Sequence, residues 1–142
     1  MSTDIRPEVS KKKEYWIPKH RYYELKHFVM QYPEWKQYLN DTLGVSSSPS
    51  TDSVKVQLGA VSDPTWLIVK KREVYNRFMR LVEHVTHLTD EEYGDLIFRH
   101  VVNGAGYNDV KDSISLSRSE YYNLYRKFFY ILDQSRYLYE EV

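Results

Sequence analysis

Leu116-Ser-Arg-Ser-Glu-Tyr-Tyr-Asn-Leu-Tyr-Arg-Lys-Phe-Phe129, taken with the 26 residues before it, decides the reading of this chain. From Asp90 the pattern predicts a helix, a glycine-containing turn, a short helix, a tight turn and a longer helix. Thr89 is the expected N-cap of the first, Asp90 to Val102. Asn103-Gly-Ala-Gly106 stops it. A short helix from about Asn108 to Ile114 follows, and Ser115-Leu-Ser117 turns the chain. Ser117 and Glu120 stand at capping-box spacing, so the last helix starts there and runs to about Asp133 or beyond. A helix-turn-helix has this order of elements.

The apolar positions fit a three-helix unit. Leu96, Ile97 and Val101 share a face of the first helix, and Val110 and Ile114 are four apart on the second. Leu116 plugs the turn. Tyr121, Leu124, Phe128 and Ile131 form the expected inner stripe of the third. The opposite face carries Arg118, Ser119, Tyr122, Asn123 and Arg126, with Lys127 beside them. Arg and Asn are the residue types that contact guanine and adenine edges in pairs of hydrogen bonds. Ser, Tyr and Lys commonly hold phosphates. A plain helical bundle with a solvated polar face fits the same composition equally well.

Working outward, Asp63-Pro64 reads as a helix start, with Asp as N-cap and Pro at the first helical position. That helix extends to about Leu88. Leu67, Lys71, Val74, Phe78, Leu81, Val85 and Leu88 repeat at four-three spacing along it, which is coiled-coil seam spacing. An earlier helix from about Lys19 to Leu43 offers a matching stripe in Leu25, Phe28, Tyr32, Trp35 and Leu39, with Pro33 breaking or kinking it near Tyr32. Antiparallel packing of the two within one chain, as a helical hairpin, satisfies both stripes. A homodimer through the longer helix is an equal alternative. Between them, residues 44 to 63 are rich in Ser, Thr, Gly and Pro and are expected to form a mobile loop. Val54, Val56 and Leu58 alternate there as a short strand would. Residues 1 to 18 are polar, include Lys11-Lys-Lys13, and are expected to be a flexible arm. The expected fold is all-α, with a helical hairpin over 19–88 and a helix-turn-helix unit over 89–142.

The net charge is zero, from 20 basic and 20 acidic residues, which argues against a strong non-specific nucleic-acid binder. The distribution is uneven: residues 64–88 carry +3, residues 89–116 carry −4 and residues 117–130 carry +2. An acidic first half and a basic last helix can orient such a unit on DNA, although an ordinary mixed surface has similar charge. With no cysteine there is no disulfide and no thiolate chemistry. No apolar run approaches the roughly 18 residues of a membrane span, and the first residues lack a signal-peptide core. A cytoplasmic protein is the expectation.

His84-x-x-His87 beside Glu83 is three apart rather than the four of a catalytic zinc helix, and no further ligand is evident. No phosphate-cradling glycine loop and no nucleophile-base set occurs. The expectation is therefore no enzyme, no cofactor and no metal.

The run Gly106-Tyr-Asn-Asp-Val-Lys-Asp-Ser-Ile-Ser-Leu-Ser-Arg-Ser-Glu-Tyr-Tyr-Asn-Leu-Tyr-Arg-Lys resembles the promoter-binding C-terminal domain of bacterial housekeeping sigma factors. Val110, Ile114, Leu116, Tyr121 and Leu124 fall at that pattern's apolar positions. Ser117-Arg-Ser119 falls at its recognition-helix start and Arg126-Lys127 at its basic pair. The chain departs from the pattern at Tyr125, Phe128 and Phe129, where smaller or polar residues are usual. Over residues 19 to 134 it is similar to small proteins of Gram-positive phages and prophages, among them late-transcription activators of the RinA and ArpU type. The features are Arg21-Tyr-Tyr-Glu-Leu-Lys, Gln31-Tyr-Pro-Glu-Trp-Lys36, Ser62-Asp-Pro-Thr65 and Arg126-Lys-Phe-Phe-Tyr-Ile-Leu-Asp133. The resemblance implies a sequence-specific DNA-binding regulator of late genes in a host cell. Arg118, Asn123 and Arg126 are then candidates for reading bases, and Ser117, Ser119, Tyr122 and Lys127 for holding the backbone. The alternative is a helical adaptor that binds host RNA polymerase or a phage packaging component through its tyrosine-rich surface, without reading DNA.

Overall fold

The computed structural model describes residues 14–45 and 63–140, the side chains of 137–140 excepted. Every regular element in them is helical: α1 (Lys19–Met30), α2 (Tyr32–Asp41), α3 (Thr65–Thr89), α4 (Gly94–Asn103), a 3₁₀ turn (Tyr107–Asp109) and α5 (Arg118–Glu140). Among the described residues no helix is long and apolar enough to cross a membrane. The expected loop over 44–63 and the alternating Val54-Val56-Leu58 lie almost wholly outside the described residues, as does the arm over 1–13.

The chain divides into two compact units, residues 1–31 with 81–142, and residues 32–80. The expected hairpin and three-helix group are both present, but their membership differs from a division at residue 88. In the second unit α2 pairs with the first part of α3. In the first, α1, α4 and α5 pack on one another, joined by the last turns of α3. Helix α1 thus belongs with the C-terminal helices. Pro33 explains why the chain can change units there. Gln31 closes α1 with its N–H on Phe28 O at 3.2 Å, and Pro33 sits in the first turn of α2, where a missing N–H is harmless.

The core of the larger unit is built from α1 and α5. Tyr22, Leu25 and Val29 of α1 are buried, and the Tyr22 ring meets Phe129 edge-on at 5.0 Å. Arg21 pairs with Asp133 at 3.2 Å, and Arg136 with Glu24. Residues 129, 133 and 136 lie one above the next on α5. Residues 14–18 are part of this unit rather than a free arm: Ile17 is buried and the Tyr15 ring lies 5.6 Å from Tyr130.

Two local devices join α3 to α4. Thr89 is the last residue of α3, not an N-cap, and its hydroxyl donates to Val85 O at 2.8 Å. Asp90 makes the turn instead, its carboxylate accepting from the N–H of Glu92 and of Tyr93. Gly94 then starts α4 directly against α3. A Cβ there would stand 2.2 Å from Thr86 O, so only glycine fits. At its other end α4 stops at Gly104, which is left-handed with φ 71°, and the N–H of Ala105 bonds His100 O.

In the smaller unit the long seam is used within the chain. Trp35 is buried, with Phe78 5.2 Å away and Tyr75 at 6.5 Å. Lys71, the polar break in the seam, pairs with Asp63 at 3.0 Å and lies over the Tyr38 ring. Asp63 therefore spends its carboxylate on Lys71 and on the Tyr38 hydroxyl. Ile68 rather than Leu67 is fully buried, and Leu88 is exposed.

Candidate nucleic-acid interface

The start of α5 is built as its sequence requires. The N–H of Glu120 donates to Ser117 Oγ at 3.1 Å, and Glu120 Oε1 accepts from the N–H of Ser117 at 3.0 Å. The backbone N–H of Ser117, and then its hydroxyl, hold the Glu120 carboxyl below the usual carboxylate range. Ser117 is thus engaged in the cap, although its side of the helix end is exposed.

The segment before it differs from the expected helix over 108–114. It is a single 3₁₀ turn at Tyr107–Asp109, followed by turns. The Asp109 carboxylate folds back onto the N–H of Gly106 at 2.7 Å, and the Tyr107 hydroxyl donates to Leu116 O at 2.9 Å. Val110 has φ −133°, outside the helical region, so the turn does not propagate. Asp112, Ser113 and Ser115 offer side-chain bonds that compete with helix. The element between α4 and α5 is a tight connector rather than a second helix.

Helix α5 is also rotated from the expected orientation. Tyr121, Tyr122, Tyr125, Phe128, Phe129 and Leu132 are buried, whereas Leu124 and Ile131 are half-buried. The buried arc is widened towards 122, 125 and 129 because α1 covers that side. This places the sequence-derived site residues in three groups. Arg118, Ser119 and Asn123 are exposed. Arg126 and Lys127 are half-buried, and burial lowers the guanidinium pKa of Arg126, which nevertheless stays charged. Tyr122 is the correction: its side chain is 5% exposed and its hydroxyl is buried, so it is not a surface phosphate ligand. The Arg118 guanidinium lies 5.2 Å above the Tyr122 ring and 3.4 Å from Asn108 Oδ1. Tyr122 is thus a platform for Arg118, which stands one turn before it on α5.

Ser119, Asn123 and Arg126 follow four- and three-residue spacing on one side of α5, with Lys127 adjoining. From Arg118 to Lys127 the helix rises about 14 Å, close to the roughly 12 Å width of the DNA major groove. Arg21, Lys70, Lys71 and Arg136 each sit on a carboxylate. Arg118, Arg126 and Lys127 meet none among the described residues.

Behind this face His100 and Tyr121 form a buried pair, with the imidazole Nδ1 facing the phenol oxygen. Burial pushes the His100 pKa down, against the pull of Asp109 and with Arg99, and pushes the Tyr121 phenol well up. The neutral imidazole therefore accepts from the protonated phenol. Because the folded-state value lies below the ordinary one, the unfolded chain takes up the proton first as pH falls. The stability from this pair is complete above about pH 6.5 and is lost as pH drops from there through the folded-state value. A series of urea unfolding curves between pH 7.5 and 5 is expected to show this fall, and the fall is expected to shrink in His100→Gln. An equal pH slope in both proteins would refute the assignment.

His84 and His87 are both exposed on α3. Among the described residues no three His, Asp or Glu side chains converge to hold a metal ion. No family model matches the chain, and no curated protein or solved structure is significantly similar to it.

Proposed function

We propose that this chain is a sequence-specific DNA-binding regulator of phage or prophage transcription that works in the host cytoplasm, with the first three turns of α5 as its reading surface. The observation that carries this reading is the set of cations there, Arg118, Arg126 and Lys127, which lack carboxylate partners among the described residues and flank the exposed Ser119 and Asn123. Three cations within ten residues of one helix, with neutral hydrogen-bonding side chains between them, supply the charges that neutralise phosphates and the groups that hold them. Arg118 is held over Tyr122 and beside Asn108, which fixes a flexible side chain before it meets a base and lowers the cost of ordering it. Asn123 lies at the centre of the exposed strip, where an amide can take both edge positions of adenine. The connector before α5 is too short to act as a separate positioning helix. Backbone contacts then fall to Ser119 and Lys127 on α5 itself.

The test is footprinting of the full chain on its own phage or prophage genome, followed by binding isotherms on the protected site. Arg118→Ala, Asn123→Ala and Arg126→Ala are each expected to cost about 1–3 kcal/mol and to relax preference at one position. Lys127→Ala is expected to weaken all sequences alike. Variants that bind the site as tightly as the wild type remove α5 from the role.

A further inference from the structure

In the unit formed by residues 32–80 a groove with a volume of about 540 Å³ opens between α2 and α3. Its walls include Pro33, Leu39, Leu43 and Met79, and its cations are Lys36 and Arg72; among the described residues no acidic side chain lines it. On the α2 side it runs from Pro33 to Leu43, about 15 Å at helical rise, the length of a three-turn helix. Leu43 is 52% exposed at one end.

The chemistry of Arg72 sets the groove apart. Its Nη1 donates to Leu39 O at 2.7 Å and to Thr42 Oγ1 at 2.6 Å. Leu39 O is one of the last carbonyls of α2, which have no partner inside the helix, so the guanidinium closes that end and meets the negative pole of the helix dipole. Both of its partners are neutral, and it meets no carboxylate among the described residues. Three of its five N–H donors remain for another acceptor. Its neighbour Lys71 shows the alternative, since it is neutralised by Asp63. Lys36 is exposed on the rim of the groove, and Gln37, which also lines it, donates its amide to Asp41 at 2.7 Å.

We propose that this groove docks an acidic amphipathic segment of a partner protein. Its bulky aliphatic side chains seat on Leu39, Leu43 and Met79, and its carboxylates meet Arg72 and Lys36. Charge complementarity selects this occupant: among the described lining residues a basic segment meets two cations and no carboxylate, and a nucleic-acid backbone satisfies the cations but leaves the apolar walls uncovered. Carboxylate recognition by a planar guanidinium already fixed at one edge also gives the segment a direction.

The test uses the full chain, ¹⁵N-labelled, titrated with a 14-residue amphipathic probe peptide of leucine and glutamate, and with a control in which each glutamate is lysine. The acidic peptide is expected to shift amide resonances of 36–43 and 72–79 and to bind at least tenfold tighter than the lysine control. Lys36→Glu, at an exposed position, is expected to weaken the acidic peptide about fivefold, at the upper end for an exposed charge pair. Leu43→Glu is expected to weaken it as well. The proposal is overturned if the two peptides bind alike, if the shifts fall elsewhere, or if Lys36→Glu has no effect. It is equally overturned if duplex DNA shifts this groove, or if sedimentation shows a second copy of the chain filling it. The peptide pair on the wild type decides the matter even if a variant fails to fold.

Discussion

Phe129→Ala will lower the unfolding free energy by about 3–5 kcal/mol, a large share of what a domain of this size holds. Phe129 is fully buried and lies where three groups meet: the Tyr22 ring of α1 at 5.0 Å, Tyr125 at 5.3 Å and Phe128 at 5.3 Å. Removing it leaves a cavity bounded by rings whose neighbours fix them, so little collapse is available. The same crossing predicts that a chain lacking residues 1–31 loses cooperative unfolding of the C-terminal helices. Urea denaturation followed by circular dichroism measures both. A cost under about 1 kcal/mol for Phe129→Ala, or a cooperative fold without α1, would separate α1 from the C-terminal unit and restore a division near residue 88.

The second large effect is expected at Gly94. Gly→Ala inside a helix is ordinarily favourable by up to about 1 kcal/mol. Here the new Cβ meets the Thr86 carbonyl oxygen at 2.2 Å, a backbone atom that moves only if α3 and α4 part. The clash outweighs the helix-propensity gain, and a net destabilisation of about 3 kcal/mol is expected, the upper end for overpacking. Chemical denaturation of Gly94→Ala against wild type reads it. A variant as stable as the wild type would mean that the turn at Asp90 flexes and that the α3–α4 contact is loose.

These two positions also show what the sequence reveals and what it hides. Local chemistry was legible. Ser117 and Glu120 form the capping box that their spacing announces, Gly104 ends α4, and Pro33 marks the break between α1 and α2. Each depends on residues within one turn. The all-helical class followed from periodicity for the same reason. The partner of α1 was not legible, because a stripe of period three to four says that a face is buried and not by what. Tyr22, Leu25 and Val29 suit α3 or α5 equally in pattern, and the choice depends on Phe129, Asp133 and Arg136, over a hundred residues away. The rotation of α5 has the same origin. Tyr122 and Tyr125 look amphipathic in sequence, and their burial follows from α1 covering a second side of the helix. The departures from the sigma-factor pattern at Tyr125, Phe128 and Phe129 carried that signal, since three extra aromatics on one helix need a second wall. Gly94 was silent in sequence because a close backbone approach leaves no pattern along the chain. In the candidate site, Arg118, Ser119 and Asn123 stand where the periodicity put them, while Arg126 and Lys127 are drawn towards the interior and Tyr122 is lost to it.

On the proposed reading, the open cations of α5 meet DNA phosphates and base edges. The salt dependence of binding tests it most directly. On the footprinted site, the slope of log K against log salt counts the phosphates that the protein neutralises, at about 0.9 for each. Replacing Lys127 by alanine is predicted to reduce the slope by about one, and Arg118→Ala is predicted to weaken the cognate site more than a scrambled duplex. A slope unchanged by Lys127→Ala, or a wild-type chain that protects no site at low salt, would contradict the account.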